Sequence, residues 1–166
     1  MVEKSFYDSI AKGYDALHGE EQLRKAELVR SKCRLGGLLL DIGAGTCVST
    51  RVFLKDVKSV VALEPSLEML KQCNSNGILR VCGKAEELPF SNACFDSIVS
   101  LTALHHADLK KAFSEIKRVA KPNAIIAVSF FKRAKNLQEA KRIFRGFECF
   151  DEGTDSVFIK QGNSTK

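Results

Sequence analysis

The chain reads as an α/β domain: a doubly wound, seven-stranded, mostly parallel sheet with an antiparallel last strand and helices on both faces. Three observations predict it. Apolar strand runs alternate with helical periodicity along the 166 residues. The run Leu38-Leu39-Leu40 ends on Asp41 and turns at once on Gly43 and Gly45. Ala124–Phe131 is almost continuously apolar, as expected of a strand covered on both faces.

Each element follows in order. Helical patterns cover Ser5–Ala16 and Glu20–Lys32. The first strand is Leu38–Asp41, and a helix starts near Thr46 and runs to Leu54. Ser59–Leu63 is the second strand. Ser66 is placed to cap a helix over Ser66–Cys73 that carries Leu67, Met69 and Leu70. Ile78–Cys82 and Phe95–Ser100 are the third and fourth strands. A helix over Asp108–Ala120 is broken by Lys121-Pro122-Asn123, and the fifth strand follows. A basic helix comes next. Two short strands, Glu148–Asp151 and Ser156–Lys160, then form a hairpin that adds an antiparallel edge. No repeat or linker divides the chain. Residues 1–166 are expected to form one domain, with cap helices over 1–34 and the core over 35–162.

Composition narrows the function classes. No apolar run is long enough to cross a membrane, so no membrane partner is expected. Met1-Val2-Glu3-Lys4 leads into Phe6-Tyr7-Asp8 without an apolar h-region, so no secretory signal is expected and a cytoplasmic location is. Six cysteines occur, none spaced C-x-x-C. Buried reduced thiols are expected, rather than a metal site or a disulfide. Trp is absent and Tyr occurs twice, so no broad stacking surface for single-stranded nucleic acid is evident. The net charge is +6, of which +5 falls between Lys132 and Arg145. Two readings stand for that segment: the solvated side of an amphipathic helix whose stripe is Leu137, Ala140, Phe144 and Phe147, or a phosphate-contacting surface.

The strand–turn–helix at Leu38–Leu54 makes a floor for a small ligand. Gly43 and Gly45 let backbone approach it without a Cβ. The helix start offers N–H groups to a negative group. An acid at the tip of the second strand, Glu64, stands where a ribose diol is held in nucleotide-binding βαβ units. A dinucleotide fingerprint would need a third glycine where Val48 stands, which reads against NAD.

Asp41-x-Gly43-x-Gly45-Thr46 resembles motif I of the class I S-adenosylmethionine-dependent methyltransferases, which are Rossmann-like. From Tyr7 to Lys160 the chain is similar to the methyltransferase type 11 group, which includes the ubiquinone and menaquinone biosynthesis methyltransferases. Further matching segments are Phe6-Tyr7-Asp8-x-x-Ala11-x-x-Tyr14-Asp15 and Glu64-Pro65-Ser66-x-x-Met69-Leu70. Gly83 to Phe90, Leu104-His105-His106 and Glu115 to Pro122 complete the set in the family's order.

The resemblance implies S-adenosyl-L-methionine as cofactor. Gly43, Ala44 and Gly45 would carry its methionine moiety and Asp41 would orient the ammonium. Glu64, beside Pro65, would accept the ribose hydroxyls. Met69 would pack on the adenine, and the backbone at Ala85 and Glu86 would read its edge. Tyr14 would reach the carboxylate, and Leu101 would line the site. Three positions depart from the pattern. Cys47 stands for a frequent third glycine, Lys84 for an Asp on the adenine amino group, and Pro122-Asn123 for a Pro-Gly-Gly turn that Asn can preserve in the left-handed region.

Ser100-Leu101-Thr102 is neither an Asp/Asn-Pro-Pro-Tyr motif nor a Pro-Cys pair, which reads against amide, exocyclic-amine and C5-pyrimidine methylation. His105 and His106 are candidate bases, and a loop-bracing role is the alternative. The expected acceptor is a small molecule. A tRNA or other translation component, or a non-catalytic cofactor-binding relative, stands as the alternative, with tRNA or a small activating protein as the candidate macromolecular partner.

Overall fold

The computed structural model describes residues 2–162, with side chains from Phe6 onward. Seven strands form one sheet in the order β3-β2-β1-β4-β5-β7-β6. They are β1 Leu38–Ile42, β2 Ser59–Glu64, β3 Ile78–Cys82, β4 Phe95–Leu101, β5 Ala120–Phe131, β6 Glu148–Glu152 and β7 Asp155–Lys160. The first five are parallel, and β7 runs antiparallel to both β5 and β6. The antiparallel strand is therefore not the edge. β7 inserts beside β5, and β6 takes the margin. Burial explains the choice: β7 carries Val157, Phe158 and Ile159, all buried, whereas β6 is half exposed along its length.

The helices are α1 Val2–Ile10, α2 Tyr14–Lys32, α3 Thr50–Phe53, α4 Leu67–Gln72, α5 Leu109–Val119 and α6 Leu137–Ile143. Each sheet face has its own core. One joins Ala26 and Val29 of α2 and Phe53 of α3 to Leu39, Val60 and Val99. The other joins Ala112 and Ile116 of α5 and Ala140 of α6 to Leu40, Ile98, Val128 and Phe158.

Several boundaries differ from the periodicity. The N-terminal break is a 3-10 turn at Ala11–Gly13, not a gap before Glu20. Gly19 lies inside α2, where a Cβ would stand 3.7 Å from Val48 Cγ2. α3 begins at Thr50 rather than Thr46, because Gly45 (φ +56°) and Cys47 (φ +64°) keep the chain in left-handed turns. β5 begins at Ala120, and Asn123 lies in extended backbone within it, so no left-handed Asn turn forms. The cysteine expectation is also corrected. Cys47 and Cys73 are disulfide-bonded, with Cα atoms 5.2 Å apart, which tertiary packing of α4 against the glycine turn brings about.

Candidate active site

The sheet reverses its winding between β1 and β4, and a cavity of about 320 Å³ opens at the carboxyl ends of these strands and β2. Open α/β sheets bind ligands at this position. The floor is the turn after β1. Gly43 and Ala44 both donate to the Leu63 carbonyl, at 2.7 and 3.1 Å. Gly43 needs to be glycine on two counts. Its φ is +73°, and a Cβ there would stand 2.2 Å from Ala103 Cβ in the turn after β4.

Glu64, the last residue of β2, is held from both sides. Gly45 N–H donates to Oε2 at 3.1 Å and Ser66 N–H donates to Oε1 at 2.9 Å. Burial raises its carboxyl above the usual range, these two N–H groups oppose the rise, and nearby Asp8 adds to it. Ser66 caps α4 by accepting from Met69 N–H at 3.1 Å, and this aims Met69 at Gly45.

The N-terminal helices close over these groups. Ser66 Oγ donates to Asp8 at 2.5 Å, and Thr46 Oγ1 donates to Asp15. Tyr7 and Tyr14 reach the cavity. The Tyr14 phenol is pushed up by burial first, then by Tyr7 and Glu64.

Ten of the residues singled out from sequence line the cavity: Tyr14, Gly43, Gly45, Glu64, Pro65, Met69, Ala85, Glu86, Leu101 and His106. Three do not. Ala44 faces the core, and Asp41 lies beneath the floor, where Oδ2 accepts from Thr50 Oγ1 at 2.6 Å. Burial pushes the Asp41 carboxyl up to about 7, against the Thr50 bond and with help from Glu64. The two histidine rings lie side by side, centroids 3.8 Å apart, but only one lines the cavity. His106 is in the lining, with Nε2 3.1 Å from Tyr7 Oη, whereas the His105 ring lies 5.3 Å from that of Phe131.

Nine further residues line the cavity, and Tyr7, Thr102 and Ala103 are among those that sequence reasoning missed. Tyr7 lies within a quoted motif. Thr102 and Ala103 carry no local signal, because what marks them is geometry: Thr102 has φ +56°, an outlier for a β-branched residue. Behind Thr102 sits fully buried Lys25. Its Nζ donates to Thr102 Oγ1 at 2.5 Å, to Asp155 Oδ2 at 3.0 Å and to Glu21 Oε1 at 3.0 Å. Burial pushes the Asp155 carboxyl up, and Lys25 opposes the rise.

The lining suits a nucleoside: a doubly anchored carboxylate with lone pairs left for a vicinal diol, beside a thioether and a glycine floor. Comparison with known proteins agrees with that assignment. Residues 40–128 match the methyltransferase-domain family, and the chain belongs to it. An uncharacterised protein of Methanocaldococcus jannaschii is 36% identical over 172 residues, covering 100% of this chain and 65% of the relative. A demethylmenaquinone methyltransferase of Mycobacterium marinum is 32% identical, covering 76% of this chain and 58% of the relative. The chain thus spans less than two thirds of either relative. A solved structure from Methanococcus maripaludis, assigned to the S-adenosyl-L-methionine-dependent methyltransferases, superposes with a TM-score of 0.79. It shares 16% identity, with 98% of this chain and 94% of that one covered, and it supports the fold.

Proposed function

We propose that this chain transfers a methyl group from S-adenosylmethionine to a small-molecule acceptor that enters past Tyr7 and His106. The observation that carries the reading is the grip on Glu64 by Gly45 and Ser66 at the tip of β2. A carboxylate fixed by two N–H groups keeps its orientation and still offers acceptor positions to a ribose. The cofactor, when bound, supplies a methyl group on a sulfonium that is already electrophilic.

The chain's own work is to bind, align and exclude water. Gly43 and Gly45 form the floor, Met69 and Leu101 pack against the ligand, and backbone at Ala85 and Glu86 reads the adenine edge. Tyr14 holds the carboxylate end. Asp41, below the floor, acts on the ligand through the turn rather than by contact. His106, held in the lining beside Tyr7, takes the acceptor's proton in exchange for its hydrogen bond to Tyr7, and His105 braces the loop. The relative from Mycobacterium marinum, named for a small organic acceptor, supports that acceptor class.

Calorimetry with S-adenosylmethionine tests the assignment. Glu64→Ala should lose about 1.5–3 kcal/mol for each charge-assisted bond removed. Wild-type affinity in a folded Glu64→Ala protein would overturn it.

A further inference from the structure

Positive charge is concentrated in one stretch of the chain. Between Leu109 and Arg145, eleven basic side chains face two acidic ones, a net +9. The whole chain is +6, so all remaining residues together are −3. That segment contains α5 and α6, which pack side by side through Phe113 and Phe144, ring centroids 5.1 Å apart. The apolar side of each helix is buried in the core, leaving the basic side to solvent. Lys110, Lys117, Arg133, Lys135, Arg142 and Arg145 are exposed, and none forms an ion pair among the described residues. Lys132 differs: it is tied to Asp151 at 3.3 Å. Glu139 is the one acid on α6.

This layer reaches the cavity rim. Asn136, the N-cap of α6, donates from Nδ2 to the His105 carbonyl at 3.2 Å, one residue from His106 in the lining.

We propose that the outer face of α5 and α6, with the cations that flank α6 at Arg133, Lys135 and Arg145, docks the phosphate backbone of RNA. The proposal goes beyond methyl transfer and concerns a surface separate from the cofactor cavity. The chemistry of the patch selects the partner. Protein interfaces centre on well-packed anchors in a core depleted of charge, and among the described residues the exposed large apolar side chains (Phe6, Leu17, Leu23, Leu67, Leu79) all lie elsewhere. A bilayer would need an apolar helix face in solvent, and here that face is in the core. A small anionic metabolite would engage two or three cations, not a surface spread over two helices. Nucleic-acid interfaces are polar and strongly positive, as this face is. Scarce aromatic residues make contact through phosphates rather than stacked bases, so affinity should depend on salt and little on sequence.

The test is fluorescence anisotropy with bulk tRNA from low to high salt, alongside calorimetry with S-adenosylmethionine on the same proteins. Wild type should bind tRNA at low salt with a steep salt dependence. Lys135→Gln, Arg142→Gln and Arg145→Gln together should lower the slope of log affinity against log salt by about 2, at roughly 0.7 per lost phosphate contact. Cofactor affinity should not move, so failure of the docking face and failure of the methyltransferase reading are separate results. A control with Lys55, Lys71 and Lys160 changed to Gln, equal in charge but on other surfaces, should keep the wild-type slope. The proposal is overturned by absence of tRNA binding at low salt, by the same slope in the triple variant, by an equal loss in the control, or by tighter binding to phosphatidylserine vesicles than to tRNA.

Discussion

Beneath the carboxyl ends of the strands lies a set of buried charged side chains, and the ion pairs at the amino ends are partly exposed. The carboxyl end holds Asp41, Glu64, Lys25 and Asp155, all buried. The amino end holds Arg30 with Asp56, at 2.5 Å, and Lys121 with Asp96, at 2.7 Å, all partly in water. The cleft at the amino end is the larger, about 920 Å³ against about 320 Å³. Size is therefore a poor guide to the site. The smaller cavity combines left-handed backbone at Gly43, Gly45 and Thr102 with carboxyls raised by burial. At the other end Asp96 is held below the usual range, by its bond to Lys121 first and by Leu38 N–H. A buried, raised carboxyl retains electrostatic work for a ligand, and a paired surface carboxyl has spent it.

The largest expected effect lies at the carboxyl end. Lys25→Ala leaves buried Asp155 without its cation and should cost about 3–5 kcal/mol of unfolding free energy in urea titration. Lys25→Ala together with Asp155→Ala should recover part of that loss. If the single variant costs under about 1 kcal/mol, the cluster behaves like a surface pair and the contrast between the ends fails.

Asp41 sharpens the contrast through pH. Its folded value, about 7, lies above the ordinary one near 4. As pH rises, the unfolded chain releases this proton first, so the folded chain binds more protons between these values. Stability should fall from about pH 4 to about pH 7 and then level off, with a slope of at most about 1.4 kcal/mol per unit from this group. Asp41→Asn can still accept from Thr50 and should remove that component. Urea midpoints at pH 5 and pH 8 measure it, and equal pH dependence in both proteins would refute the assignment.

The smallest effect belongs to the amino end. Lys121→Gln breaks an exposed pair and should change stability by no more than about 1 kcal/mol. Thermal melts at low and high salt check this, and a larger loss would mean that the Asp96–Lys121 pair acts as a buried one.

Sequence by itself determined the order of elements, the turn after β1 and the acid at the tip of β2. Those features rest on neighbours within a few residues: apolar periodicity, a glycine where φ must be positive, a serine cap at α4. They also carried most of the cavity lining, because in a parallel sheet the loops after successive strands open at one end. Tertiary structure alone decided the rest. β7 sits beside β5 because its buried Val157, Phe158 and Ile159 need cover on both faces, a demand that turn chemistry does not encode. Cys47 meets Cys73 only once α4 packs on the glycine turn, 26 residues away. Lys25 looks like any helical lysine until Thr102 and Asp155, 77 and 130 residues distant, close around it. His105 and His106 are adjacent in sequence with rings 3.8 Å apart, and only the tertiary packing sets His105 against Phe131 and His106 against Tyr7 in the cavity lining. Contacts between residues far apart in the chain leave no local pattern, so buried charge and cross-links appear only with the fold.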